Sequence, residues 1–166
     1  MKIGLLLPLA NILVWSVWTD LRSQACACDL WVAGWLIVVA VAEEIFFRGF
    51  LLLEFQEYTG WSRIKSSVSV SFLFAILHLC NLWSGTGLSY VLVQSFFAFG
   101  ASVILCWIYC TQWGLISCMV IHGLVNLTSL LLEGKMTLTL TDVLIYVVTA
   151  LICAYCGLKR LRNLEV

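Results

Sequence analysis

Apolar runs about as long as a bilayer is thick succeed one another along almost the whole chain, and such a chain has one fold class open to it. In the 166 residues these runs lie at about 3–19, 30–53, 68–83, 88–111, 113–132 and 143–158. Inside hydrocarbon every backbone N–H and C=O must be satisfied by the segment itself or by a closed barrel. Continuous runs of roughly 20 apolar residues, rather than short alternating ones, select the helix. The sequence therefore predicts an all-α, multi-pass transmembrane bundle of about six spans, forming a single membrane domain over residues 1–166. Composition agrees, with 63% hydrophobic and 11% charged residues and a mean hydropathy of +1.05, well outside the range of soluble domains.

The connections are short and none reads as an interdomain linker; no internal repeat is evident. Lys2, Arg63, Lys65, Lys159, Arg160 and Arg162 fall on one side of the predicted bundle, and Arg22 and Lys135 on the other. Cytoplasmic loops carry the excess of lysine and arginine, so a cell-membrane location with both termini cytoplasmic is expected. The first run, behind Lys2, is read as a retained span rather than a cleaved signal, and Pro8 near its start costs little helix stability. With zero net charge and no long basic stretch, the chain has no electrostatic footprint for nucleic acid. Six of the eight cysteines lie in apolar runs, where cysteine packs as a small hydrophobe. Cys153 and Cys156 form a C-x-x-C, but without a second ligand pair it is read as packing. Cys26 and Cys28 fall in a loop.

The second run carries three charges where none is expected: Glu43, Glu44 and Arg48. Each ionised side chain at the centre of a span costs roughly 2.5–3.5 kcal/mol on insertion scales. Such groups turn inward and find partners, and they are functional candidates by default. Glu44 and Arg48 are four apart with the acid N-terminal, the favourable order for an ion pair on one helix face. Glu43 is about 100° round the helix from Glu44 and has no partner on its own helix, so it is expected to be the carboxylate that meets the histidines.

The two histidines, His78 and His122, also lie in apolar runs. Phe74 precedes His78 by four residues and Asn126 follows His122 by four, so each pair shares a helix face. Glu43, His78 and His122 each lie nine or ten residues from the same end of their predicted spans, about 15 Å at 1.5 Å per residue. Three helices can thus bring a carboxylate, two imidazoles and a carboxamide to one level, midway across a core of about 30 Å.

A carboxylate beside an imidazole in a largely dry cavity can activate water, since low dielectric strengthens it as a base. A second imidazole and an amide donor can stabilise an oxyanion. Together these groups suit hydrolysis of an amide. Neither a G-x-S-x-G signature nor a serine or cysteine with an adjacent base stands out. A zinc version, with Glu43, His78 and His122 as ligands, uses a known catalytic donor set, and residue chemistry alone leaves both open.

Glu43-Glu44 with Arg48 (E-E-x-x-x-R), Phe74 with His78 (F-x-x-x-H) and His122 with Asn126 (H-x-x-x-N) resemble, in order, the three main motifs of the CPBP family. These are the CAAX-protease and bacteriocin-processing membrane proteins, also called Abi proteins. The resemblance runs from about residue 41 to 128, supported by the flanking "RGFLL" and "HGLVNL". It implies an intramembrane endopeptidase of glutamic type acting on a membrane-associated peptide or protein. On that resemblance Glu43 and His78 would activate the attacking water, His122 and Asn126 would form the oxyanion site, and Glu44, Arg48 and Phe74 would support the motifs. No metal or other cofactor is then expected, zinc being the alternative. Six spans are fewer than the eight common in longer members. A non-proteolytic immunity or binding protein on the same scaffold is the second reading. A proton-coupled transporter is the third; such proteins are usually longer and internally repeated.

Overall fold

The computed structural model describes residues 30–130 and 138–165. The expected first span, the Cys26/Cys28 loop and residues 131–137 lie outside these described residues. Within them every regular element is helical. Helix α1 (Leu30–Glu44) passes without a break into a π-helical stretch, Ile45–Leu51, and then into α2 (Leu52–Glu57). Helix α3 (Arg63–Leu77) tightens into a 3-10 segment, His78–Ser84. Helices α4 (Leu88–Tyr109), α5 (Gly114–Leu130) and α6 (Leu140–Arg162) follow.

The ends of these elements are set by local chemistry. Ser62, in an extended conformation, starts α3 by accepting from the Lys65 N–H at 3.2 Å. Thr139 and Asp142 form a reciprocal capping box at the start of α6, satisfying N–H groups that the first turn leaves unpaired. The 3-10 segment stops at Gly85, whose φ of 86° is open to glycine at little cost.

Helices α3, α4 and α6 are by themselves long and apolar enough to cross a membrane when α3 is taken with its 3-10 continuation, whereas Gly114–Ser129 is apolar but shorter. The run from Leu30 to Glu57 has the length but carries the three charges near its middle. The structure corrects the third expected span: the helix begins at Arg63, not near 68, and Ser66, Ser67 and Ser71 are fully buried on it. A hydropathy scan treats serines as loop residues, but here they are buried on a helix packed against α4, where Ser71 Oγ lies 3.9 Å from Cys106 Sγ.

Helix α4 is the central element, most extensively packed against α6 and next against α3, while α1 packs on α5. One buried cluster joins α4, α5 and α6 through residues such as Phe97, Ile104, Ile121 and Cys153. A second joins Phe47, Leu52, Val70, Phe74 and Cys106. Large apolar residues that point outward, Trp31, Trp35, Phe46, Phe50 and Ile116 among them, suit a surface solvated by lipid rather than water. Cys106, Cys118 and Cys153 are buried and Cys156 is half-buried, and none of the four is in a disulfide.

The α4–α6 contact is close because of two glycines. A methyl group on Gly100 would collide with the Ala150 carbonyl, and one on Gly157 would lie 2.8 Å from Val103 Cγ1. Gly34, by contrast, has nothing within 4 Å of the added carbon. Gly100→Ala should therefore destabilise the fold by the roughly 1–3 kcal/mol typical of overpacking, seen as a lower thermal unfolding midpoint in detergent micelles. Gly34→Ala should leave it unchanged or raise it, since alanine is the better helix residue.

Candidate active site

The centre of the molecule is organised by one carboxylate oxygen. Glu44 Oε1 accepts from Arg48 Nη1 at 2.7 Å and from His122 Nδ1 at 2.8 Å, and both charged side chains are fully buried. Arg48 continues to α4, donating from Nη2 to Ser102 Oγ at 2.7 Å. Its guanidinium lies 5.0 Å from the centre of the Phe74 ring, a favourable cation–π distance. The i,i+4 pair expected from spacing is present. The structure corrects the second half of that expectation, because Glu43 is not the only acid that meets a histidine. The pairing of Glu44 with His122 spans 78 positions, and nothing local in the sequence announces it.

Glu43 reaches the other side of the same imidazole. Its Oε2 lies 3.5 Å from His122 Nε2, and its side chain retains about a third of its accessibility, 35%, against 8% for His122. His122 is thus held between two carboxylates from adjacent positions on α1. The carboxylate of Glu44 can only accept from Nδ1 while it holds Arg48, so Nδ1 carries a proton and Nε2 is the nitrogen left to face Glu43.

His78 opens the 3-10 segment and is half-buried. Its Nδ1 pairs with the Phe74 carbonyl at 2.9 Å. A carbonyl cannot donate, so this nitrogen is protonated and Nε2 is the acceptor in the neutral ring. The Phe74 ring stands between the two imidazoles, 4.8 Å from His78 and 5.7 Å from His122, and edge-on to Phe47 at 5.0 Å. The phenylalanine of the second motif therefore spaces both rings and supplies the acceptor that fixes one of them.

Asn126 lies one turn beyond His122 on α5 and donates to the Leu36 carbonyl of α1 at 3.3 Å. Its amide nitrogen carries a second hydrogen, and the residue lines a cavity of about 80 Å³ together with His78 and His122. Other polar groups on that wall, Tyr90, Gln94, Ser129 and Tyr146, were not singled out from the sequence. Gln94 Oε1 accepts from Asn81 at 2.9 Å, tying α4 to the 3-10 segment that carries His78. A lone glutamine within an apolar run, as in "VLVQSFF", is the signal that could have found it. Ser102, in "GASVIL", is too small and common a residue to be noticed that way.

Among the described residues no three side chains of His, Cys, Asp or Glu converge as a metal-binding group. Of the three zinc ligands considered from the sequence, His122 directs Nδ1 to Glu44 and Nε2 to Glu43.

The family model described as type II CAAX prenyl endopeptidase Rce1-like matches residues 28–128, more than half of the chain and the whole of the three motifs. No curated protein and no solved structure matches the chain.

Removing one member of a buried ion pair strands the other, at about 3–5 kcal/mol. Glu44→Leu should therefore unfold at a clearly lower temperature in micelles than the parent protein. Adding Arg48→Leu to it should recover part of that loss, as both charges are then gone.

Proposed function

Since the chain belongs to the Rce1-like family of type II CAAX prenyl endopeptidases, we propose that it is a glutamic-type intramembrane endopeptidase that cuts a membrane-associated peptide or protein without a resident metal. The observation that carries the reading is the position of the His122 ring, with Nδ1 on Glu44 and Nε2 3.5 Å from Glu43. In this reading the donor is Nε2–H, on the side of the ring that faces Glu43.

In the reaction a water held between Glu43 and His78 Nε2 attacks the scissile carbonyl carbon and gives its proton to Glu43. The carbonyl π electrons move to oxygen, and the resulting oxyanion is met by His122 Nε2–H and the second amide hydrogen of Asn126. As Glu43 takes up the proton it loses its charge and its hold on His122, which frees Nε2–H when the oxyanion needs it. The intermediate then collapses, the C–N bond breaks, and Glu43 returns the proton to the leaving amine. His78, neutral with Nδ1 fixed by Phe74, orients the water through its lone pair. Glu44 acts through His122 as a positioning residue, in the way carboxylates fix the tautomer and orientation of imidazoles elsewhere.

Magnitudes separate the roles. Glu43→Ala and His78→Ala should each lower cleavage of a membrane-anchored reporter peptide by about 10²–10⁴, the usual range for general acid–base groups, while the protein still inserts. Asn126→Ala should cost about 10²–10³, the range for one oxyanion donor. Full activity in the Glu43 or His78 variant would sink the assignment. Dialysis against a chelator should leave turnover unchanged; a loss reversed by added zinc would instead favour the zinc mechanism.

A further inference from the structure

The cavity beside the catalytic groups has a direction. Helix α3 starts at Arg63 and meets the cavity only at its far end, through Phe74 and His78. Helix α4 runs the other way and lines it with Tyr90 and Gln94 near its start. Helix α5 contributes His122, Asn126 and Ser129 from its second half, and α6 contributes Tyr146 from its beginning. Every one of these positions lies on the side of the bundle away from the start of α3 and the end of α6.

Burial follows the same direction. At the floor, Leu105, Ala101 and Ala98 are 2–7% exposed. Toward the other end, Tyr90, Gln94, Asn126, Ser129 and Leu138 are all half-buried. Polar groups on that rim would be costly against hydrocarbon and are at ease against water. The cavity is therefore closed toward the α3 start and open toward the opposite face.

That closed end is the basic end. Arg63 and Lys65 stand at the start of α3, and Lys159, Arg160 and Arg162 in the last turn of α6. The two are joined where Arg63 donates to the Leu164 carbonyl at 2.6 Å and the Ile64 N–H to Glu165 at 2.9 Å. The α6 cations suit a helix C-terminus, but Arg63 and Lys65 occupy a helix N-terminus, where the dipole disfavours positive charge. Helix chemistry does not account for the cluster, and the retention of lysine and arginine on the cytoplasmic side does.

Taking these together, and resting on the endopeptidase reading, we infer that the cavity opens to the extracytoplasmic side and that the substrates are peptides whose cleavable segment lies at the outer surface of the membrane. They are exported or membrane-anchored chains after translocation, rather than cytoplasmic protein tails.

The test uses sealed right-side-out and inside-out membrane vesicles carrying the full chain, with Cys26, Cys28, Cys80 and Cys110 replaced by serine. A charged, membrane-impermeant maleimide is the probe, and this parent sets the background. Ser129→Cys at the cavity rim and Ser84→Cys at the exposed end of the 3-10 segment should label at least tenfold faster in right-side-out vesicles. Tyr58→Cys, exposed at the basic end, should show the reverse preference. Rim cysteines that label from the cytoplasmic side, that label from the same side as Tyr58→Cys, or that fail to label from either side would each overturn the inference. Labelling requires no proteolysis, so a loss of the endopeptidase reading, seen as undiminished cleavage in Glu43→Ala, is read independently of it.

Discussion

The burial of a carboxylate and a guanidinium within an apolar bundle is the constraint on which the rest of the structure depends. Neither Glu44 nor Arg48 has any accessible surface, and an uncompensated charge at that depth would cost several kcal/mol. Compensation here draws on three other helices: Ser102 from α4, His122 from α5 and the Phe74 ring from α3. The pair therefore does more than neutralise itself. It draws α1, α3, α4 and α5 to one point, and an arrangement that separates them leaves the buried pair without the hydrogen bonds of Ser102 and His122.

From that meeting point the geometry of the reactive groups follows. Each imidazole has its Nδ1 committed to a fixed acceptor, Glu44 for His122 and the Phe74 carbonyl for His78. Each is left with Nε2, and the Phe74 ring sets the spacing between them. The π-helical stretch begins immediately after Glu44, and such wide turns, mostly short interruptions of α-helices, are frequent at functional sites. Behind the site, Gly100 of α4 packs on Ala150 and Gly157 of α6 on Val103, so the helix that carries Ser102 and part of the cavity wall is held close to α6.

Much of this was legible in the sequence because two signals were strong. Apolar run length gave the helices from Leu30 to Arg162, with errors where small polar residues are buried, as at Ser66 and Ser67. Fourfold spacing gave the Glu44–Arg48 pair and placed Asn126 with His122. The bond from Glu44 to His122 was hidden, since helical periodicity describes neighbours on one helix and is silent on what faces them from another. Comparable depths for Glu43 and His122 were readable by counting residues from the span ends. That Glu44 and Glu43 would take opposite nitrogens of one ring was not, because it depends on the rotation of α1 against α5. Gln94 stands out as a lone glutamine in an apolar run, but only its bond with Asn81 shows what it holds in place.

The cavity volume has a consequence for supply. One water needs at least roughly 10–15 Å³ of such space, so about 80 Å³ stores a handful of molecules, and a bound peptide displaces some of them. Hydrolysis consumes one per bond. A peptidase in open solvent never meets this limit, whereas here the co-reactant has to be replenished through the same polar rim by which the peptide arrives. The rim residues thus serve two traffics at once, and a chain that filled the rim completely would exclude the molecule needed to cut it.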